Sequence, residues 1–399
     1  MSKKVLITGA SVAGCTAAWW LGRTNRFDVT VVEKHPEFRD GGQNIDIRGA
    51  GREVLRKMGL EEKALRAGTK ETGTAWVNED GGVIAEIDTA ELGTDGPTAE
   101  MEILRGDLAR ILYEDTRQQA MFRFGDTIAA MDERADGVAV TFDSGATGNF
   151  DIVVIAEGVG SQTREMVFPG DNDPYPLDMT LAYFTIPSEA HDDRRWRWYH
   201  TTEGRGVSLR PDQHGTARAM LSVQKEPEGE QDWPRDKQMA WLQERFGDVG
   251  WESRRVLSGM LDTDDFYFDV LRQVRMPKWS KGRVVLCGDA AWCVTPLGGI
   301  GATLAVVGGY VLAGELARSE HHGEALARYE GHLRPFVEKA QNIKKIVPRI
   351  ANPHSRFGLA FMHATVKLAA APVVKDLMAR FLANRSDDID LPDYELTAV

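Results

Sequence analysis

Apolar runs and glycine turns alternate from the first residues. Lys4-Val5-Leu6-Ile7 is followed by Gly9-Ala10-Ser11-Val12-Ala13-Gly14, then by the apolar stretch from Ala17 to Arg23, then by Val29-Thr30-Val31-Val32, which ends at Glu33. Short, wholly apolar runs on either side of a glycine turn and a longer apolar segment predict a buried strand–turn–helix–strand unit. Helical spacing returns from Arg48 to Met58, with Val54, Leu55 and Met58 on one face, and again from Asp107, with Leu108, Ile111 and Leu112. Further strands are predicted at Phe122–Phe124, Val138–Phe142 and Ile152–Ile155.

Past residue 171 the pattern becomes antiparallel: Thr180–Ile186, Trp196–Thr201, Val207–Arg210 and Ala217–Val223, with Glu203-Gly204-Arg205-Gly206 as a hairpin turn. Five tryptophans fall here (Trp196, Trp198, Trp233, Trp241 and Trp251). Packing of the sheet against two helices near 237–246 and 252–260 accounts for them more readily than a pocket for a flat apolar ligand, the alternative role. At Gly282–Leu286 a buried parallel-type strand reappears, so the first domain is interrupted by the second. Residues 1–75, 101–170 and 278–335 are assigned to the first domain, 76–100 and 171–277 to the second, and 336–399 to C-terminal helices. These helices are expected at Ala325–Val347, His363–Leu368 and Val373–Leu382, before a frayed acidic tail from Asp387 to Glu395.

Composition narrows the class. A 399-residue chain that is 42% hydrophobic and 27% charged is a globular protein with room for two or three cores. A formal net charge of −12 disfavours nucleic acid and anionic lipid as partners. Cys15, Cys287 and Cys293 form neither a disulfide framework nor a metal-binding pair, which implies a reducing, cytoplasmic setting without a structural metal. The basic start and small-small-Cys ending of residues 1–15 imitate an export signal, but Gly9, Ser11 and Gly14 interrupt the apolar run. From Ala290 to Gly314 no residue is charged, enough to span a bilayer. Its flanks are wrong for a span, because a strand-like run ends at Asp289 immediately before it. A buried helix beside a cofactor is the better reading.

The Gly9–Gly14 turn has the position of a dinucleotide fingerprint, between a strand and a helix, and Glu33 closes the second strand where a carboxylate can take ribose hydroxyls. Ser11 replaces the middle glycine. Short-chain dehydrogenases also open on Thr-Gly, but Ala13 and Cys15 occupy their later glycine positions and no tyrosine has a lysine four residues on.

Two more segments carry a family likeness: Asp151–Arg164, containing Glu157-Gly158, and Gly282–Ala291, containing Gly288-Asp289, with Pro296 beyond it. With these segments the chain resembles the single-component FAD-dependent aromatic hydroxylases of para-hydroxybenzoate hydroxylase type. Through Gly41–Gly49 it looks most like the tetracycline-inactivating flavin monooxygenases. The likeness implies an α/β fold, a Rossmann-type FAD-binding domain interrupted by an antiparallel-sheet substrate domain, with C-terminal helices.

It further implies that Gly9, Ser11, Val12, Ala13 and Gly14 cradle the FAD pyrophosphate, that Glu33 holds the ribose and that Lys34 borders the adenine. Asp46, Ile47, Arg48 and Arg105 would lie on the flavin side, Asp289 on the ribityl chain, and Pro296 and Gly299 at the ring. Backbone N–H groups at Gly301 and Ala302 open a helix whose N-terminus favours negative charge on reduced flavin. Tyr199, His200 and Arg210, with Arg48, are polar candidates for the substrate pocket, and no catalytic residue is assigned. Glu157, Trp292 and Thr303 depart from the Asp, His and Asn common in the family. The activity implied is a monooxygenase that uses NAD(P)H as a transient donor and O2, through a C4a-hydroperoxyflavin, to hydroxylate a small aromatic or multi-ring, polyketide-like substrate, as a monomer or homodimer. A halogenase would need Trp-x-Trp-x-Ile-Pro, whereas Trp196-Arg197-Trp198 is followed by Tyr199-His200. A reductase without O2 chemistry and a non-catalytic flavin sensor remain as alternatives.

Overall fold

The computed structural model describes residues 2–39, 41–88, 101–371 and 389–394. Its central feature is a six-stranded sheet in the order Ser280–Lys281, Val284–Leu286, Ile152–Ile155, Lys3–Thr8, Phe27–Glu33, Met121–Phe124. Every pairing is parallel except the terminal Ser280–Lys281 contact. Both faces are covered, so the strands read as continuous apolar runs in the sequence.

The helix Val12–Gly22 is buried on nearly all sides, and the long uncharged helix Gly301–Arg318 lies against it. Gly309 permits that approach, since a Cβ there would stand 2.8 Å from the backbone nitrogen of Ala17. The missing charge in 290–314 is therefore a packing requirement. No helix among the described residues is long and apolar enough to cross a membrane.

A second, seven-stranded sheet runs Tyr267–Gln273, Tyr175–Pro187, Thr216–Gln224, Arg205–Pro211, Arg195–His200, Gly73–Val77, Val83–Asp88. Strand Gly73–Val77 pairs in parallel with Arg195–His200, and all of it belongs to this sheet. The expected boundary at residue 75 cuts through a strand, because a short run such as Thr-Ala-Trp-Val does not announce which sheet it will join. Helices Arg235–Phe246 and Ser253–Asp262 cover one face of the sheet, where Phe184, Leu221, Leu242, Phe246 and Val256 form a separate core.

The C-terminal region departs from expectation in two places. Helix His322–Gln341 ends before Val347, and a new helix, Ile346–Ala351, follows; helix Arg356–Ala369 spans the predicted His363–Leu368. The predicted Val373–Leu382 helix lies outside the described residues. Within the acidic tail, residues 389–394 are docked and not frayed. Ile389 is buried, the Tyr310 hydroxyl donates to Pro392 O at 2.8 Å, and the Tyr394 hydroxyl donates to Glu315 at 3.0 Å. Apolar and aromatic residues within the acidic run supply the packing that its charge pattern conceals.

Candidate active site

The dinucleotide end is assembled from backbone. Gly9 has φ +98° and donates its N–H to Val32 O at 2.8 Å, and a Cβ there would lie 2.4 Å from Ala156 O. A Cβ on Gly14 would lie 2.0 Å from Gly9 O. These two positions form a cradle that only glycine leaves open, at the N-terminus of a helix whose first N–H groups have no side-chain cap; this suits a pyrophosphate. Val12 and Ala13 are buried in the first turn, so their backbone alone faces that end.

The Glu33 carboxylate accepts from the Ala10 N–H and the His35 N–H, each at 3.0 Å, which aims it at the turn from the tip of its strand. Lys34 beside it is exposed. Arg105 donates to Ser11 Oγ at 3.1 Å and to Gly41 O at 2.8 Å, crossing flat against Gly42, where a Cβ would be 2.7 Å from its Nε. Ser11 at the middle glycine position thus has a partner, which accounts for that departure.

At the far end of the same cleft, burial pushes the Asp289 carboxyl up to about 6, against the opposing pull of Arg105. Thr295 is held at φ +65° with its buried Oγ1 lacking a partner among the described residues, Pro296–Gly298 form a 3-10 turn, and Gly299 is left-handed at φ +69°. Gly301 and Ala302 then open the long helix with no side-chain cap, leaving their N–H groups available to a ligand. Asp46 and Arg48 form an ion pair at 3.0 Å, and the Arg48 N–H donates to Thr303 Oγ1 at 3.0 Å, a contact that gives the threonine its role. The Ile47 side chain is fully buried and its N–H is taken by Met101 O, so it offers the cleft no side chain.

The two remaining departures are structural. Glu157 accepts from Ser161 Oγ, Thr163 N and Thr163 Oγ1, bracing helix Gln162–Val167, whose Arg164 reaches Ala290 O at 3.2 Å. Trp292 packs in the core against Trp279 at 4.4 Å and against the glycine surface at Gly308.

The face of the seven-stranded sheet opposite the covering helices carries Arg210, which reaches Glu102, and Tyr267, and part of it is packed by the segment around Ile343, Asn352 and His354. Across paired strands, Trp76, Trp198, Ser208, Met220, Tyr183 and Tyr267 lie in register. Trp76, Trp198 and Tyr183 are half-buried, and Tyr267 is within electrostatic reach of Asp289 and Arg105. Trp196 lies on the same face, 4.6 Å from Trp198, and His200 stacks on Trp198 at 5.4 Å with the rings 1° from parallel. Burial, and then His363, lowers the His200 pKa to about 4, so the ring is neutral at pH 7.

Tyr199, by the alternation of a strand, points the other way. It packs under the covering helices near Trp251, on the face opposite His200 and Arg210. The tryptophans divide accordingly: Trp241 and Trp251 pack in the helix-covered core with Trp233 beside Trp241, whereas Trp196 and Trp198 face the cleft. Arg210 also faces the cleft but is not solvated. Its Nε donates to Glu71 at 2.7 Å, its Nη2 lies 2.6 Å from Glu102, and its guanidinium sits 4.0 Å over Trp196. Burial, reinforced by Glu102 and opposed by Arg210, pushes the Glu71 carboxyl up to about 8. Glu102 is held in turn by Asn44 at 2.6 Å and Thr69 at 3.0 Å. Trp76, Glu71 and Glu102 were not legible as site residues, because nothing local ties them to a strand more than a hundred positions away.

The family described as FAD binding domain matches residues 2–343. A flavin-dependent monooxygenase from an unknown prokaryotic organism is 36% identical over 85% of this chain and 88% of its own length. Flavin-dependent monooxygenase eupH of Phoma sp is 33% identical over 98% of both. Among solved structures, tetracycline destructase Tet(55) is 31% identical with a TM-score of 0.82, covering 98% of this chain and 99% of that one. Tetracycline destructase Tet(51) is 29% identical with a TM-score of 0.84, covering 99% and 100%.

Proposed function

This chain belongs to the FAD binding domain family and is an FAD-dependent monooxygenase, and from that premise we propose that it hydroxylates a flat aromatic or multi-ring substrate held on the inner face of the seven-stranded sheet, with NAD(P)H as donor. The observation that carries the substrate reading is the half-buried aromatic surface of Trp76, Trp196, Trp198 and Tyr183, on the same sheet face as Arg210, which reaches Glu102, and Tyr267, which is within electrostatic reach of Asp289. Large flat π surfaces favour ring ligands and contribute apolar area with little loss of side-chain freedom.

Bound FAD supplies the redox chemistry, accepting two electrons from NAD(P)H and activating O2 so that one oxygen atom enters the substrate and the other leaves as water. The chain's own residues hold and enclose. Gly9, Gly14 and the first turn after Ser11 take the pyrophosphate, and Glu33 takes the ribose. Asp289 takes the ribityl chain, while the N–H groups of Gly301 and Ala302 stabilise negative charge on the reduced ring. Arg105 closes the pyrophosphate side through Ser11 and Gly41. The aromatic face excludes water and orients the ring that receives oxygen. The absence of a second glycine fingerprint supports a donor that visits from solution, and the three buried free cysteines suit a reducing, cytoplasmic compartment.

The test is purification with bound yellow flavin, followed by NADH and NADPH oxidation under 18O2 with a panel of phenols and multi-ring polyketides. Substrate-stimulated oxidation with one 18O in the product is expected. Donor oxidation with a reduced, unlabelled product would establish a reductase instead.

A further inference from the structure

The charge on the inner face selects among ring ligands. Resting on the proposed location of the substrate, we infer that this site takes an uncharged or cationic ring system and rejects one bearing a carboxylate. Arginines near an aromatic pocket ordinarily serve as anion hooks, but here the arginines on and opposite the inner face are engaged by carboxyl groups, and Arg105 is turned to Ser11 and Gly41 on the dinucleotide wall. Arg210 lies between Glu71 at 2.7 Å and Glu102 at 2.6 Å, with the face of Trp196 closing a third side. Arg218, next to Arg210 across the strand pair, contacts Asp265 at 2.8 Å and Asp212 at 3.3 Å. Arg48, on the opposing wall, contacts Asp46 at 3.0 Å.

These three arginines therefore meet five carboxyl groups. A carboxylate entering beside Arg210 would have to displace one of its acidic partners or lie against Glu102, and like charges brought together in a desolvated site repel. The other groups on the face offer no replacement cation. His200 is neutral and stacked on Trp198, and Tyr183 keeps its proton because burial raises its pKa. Glu71 presents an additional hydrogen-bonding atom, since its buried Oε1 has no partner among the described residues and burial raises its pKa toward the protonated form. A neutral hydroxyl or an amine can use that oxygen, whereas a carboxylate cannot do so without repulsion from Glu102.

The experiment is calorimetric titration of FAD-loaded protein, without NAD(P)H, with three ligands sharing one ring system: 2-naphthol, 1-(dimethylaminomethyl)-2-naphthol and 3-hydroxy-2-naphthoate. The neutral and cationic ligands are expected to bind at least about ten-fold tighter than the carboxylate. Equal or tighter binding of the carboxylate overturns the charge inference while leaving the inner face as the ring site. Absence of binding by all three overturns the ring site itself. As a second arm, Glu102→Gln removes one charge beside Arg210 while retaining hydrogen-bonding atoms for Asn44 and Thr69. It should bring the carboxylate to within about three-fold of 2-naphthol by partly freeing the cation. An unchanged preference in a folded Glu102→Gln protein would remove Glu102 from the selection.

Discussion

The two walls of the cleft are built from different materials. The dinucleotide wall is backbone: a left-handed Gly9, a Gly14 with no room for a methyl group, a helix N-terminus and one carboxylate, Glu33, held by two N–H groups. These parts lie within 25 residues of one another along the chain. The ring-facing wall is side chain: Trp76 from one strand, Trp196, Trp198 and His200 from another, and Arg210 fixed by Glu71 and Glu102 from distant segments. A backbone site is specified by conformation, which leaves a compact glycine signature. A side-chain site is specified by register, which leaves none. The same division appears between the two faces of the seven-stranded sheet, where alternate residues of Arg195–His200 serve a helix-covered core and the face proposed for the substrate.

Substitutions can separate the walls. The largest effect belongs to Gly14→Val: a side chain aimed at Gly9 O cannot be relieved by rotation, and a cost above about 4 kcal/mol should leave a colourless or misfolded protein, read from the ratio of flavin to protein absorbance after gel filtration. Next is Glu102→Ala on the opposite wall, which leaves Arg210 with one acidic partner and strips Asn44 and Thr69 of theirs. Loss of a buried ion-pair partner costs about 3–5 kcal/mol, visible as a lower melting temperature while the flavin signal of the folded fraction persists. If flavin were lost in parallel with stability, the walls would not be independent.

A smaller effect is expected for Glu33→Ala. A charge-assisted ribose hydrogen bond contributes about 1.5–3 kcal/mol, so FAD affinity should fall roughly ten- to a hundred-fold in a fluorescence titration, with the melting temperature of the apoprotein little changed. Glu71→Gln is the subtlest. Because the folded-state pKa of Glu71 is raised from 4.5 to about 8, among Asp46, Glu102 and Arg210, its favourable contribution is complete below pH 4.5 and is lost as pH rises through 8. Glutamine has no proton to lose. The variant should therefore gain stability relative to the parent between pH 4.5 and about 8, by at most about 1.4 kcal/mol per pH unit, with no further gain above; parallel melting curves across that range would show that Glu71 ionises normally.

The sequence by itself determined the dinucleotide half. Strand, glycine turn, helix and terminal glutamate are contiguous, so local spacing was sufficient, and the uncharged 290–314 run was legible as a buried helix because burial on all sides forbids charge anywhere along it. The antiparallel block and its interruption of the first domain were also readable, from the change to short alternating runs. Tertiary structure alone decided which face each tryptophan serves, that Tyr199 points away while His200 points in, and that Gly73–Val77 crosses into the second sheet. It also decided that Arg210 is neutralised and that an acidic tail packs through Ile389 and Tyr394. Each of these depends on a contact between residues far apart in the chain. Pairing register and ion-pair choice are settled by the shape and desolvation of the assembled protein, for which a one-dimensional pattern carries no term.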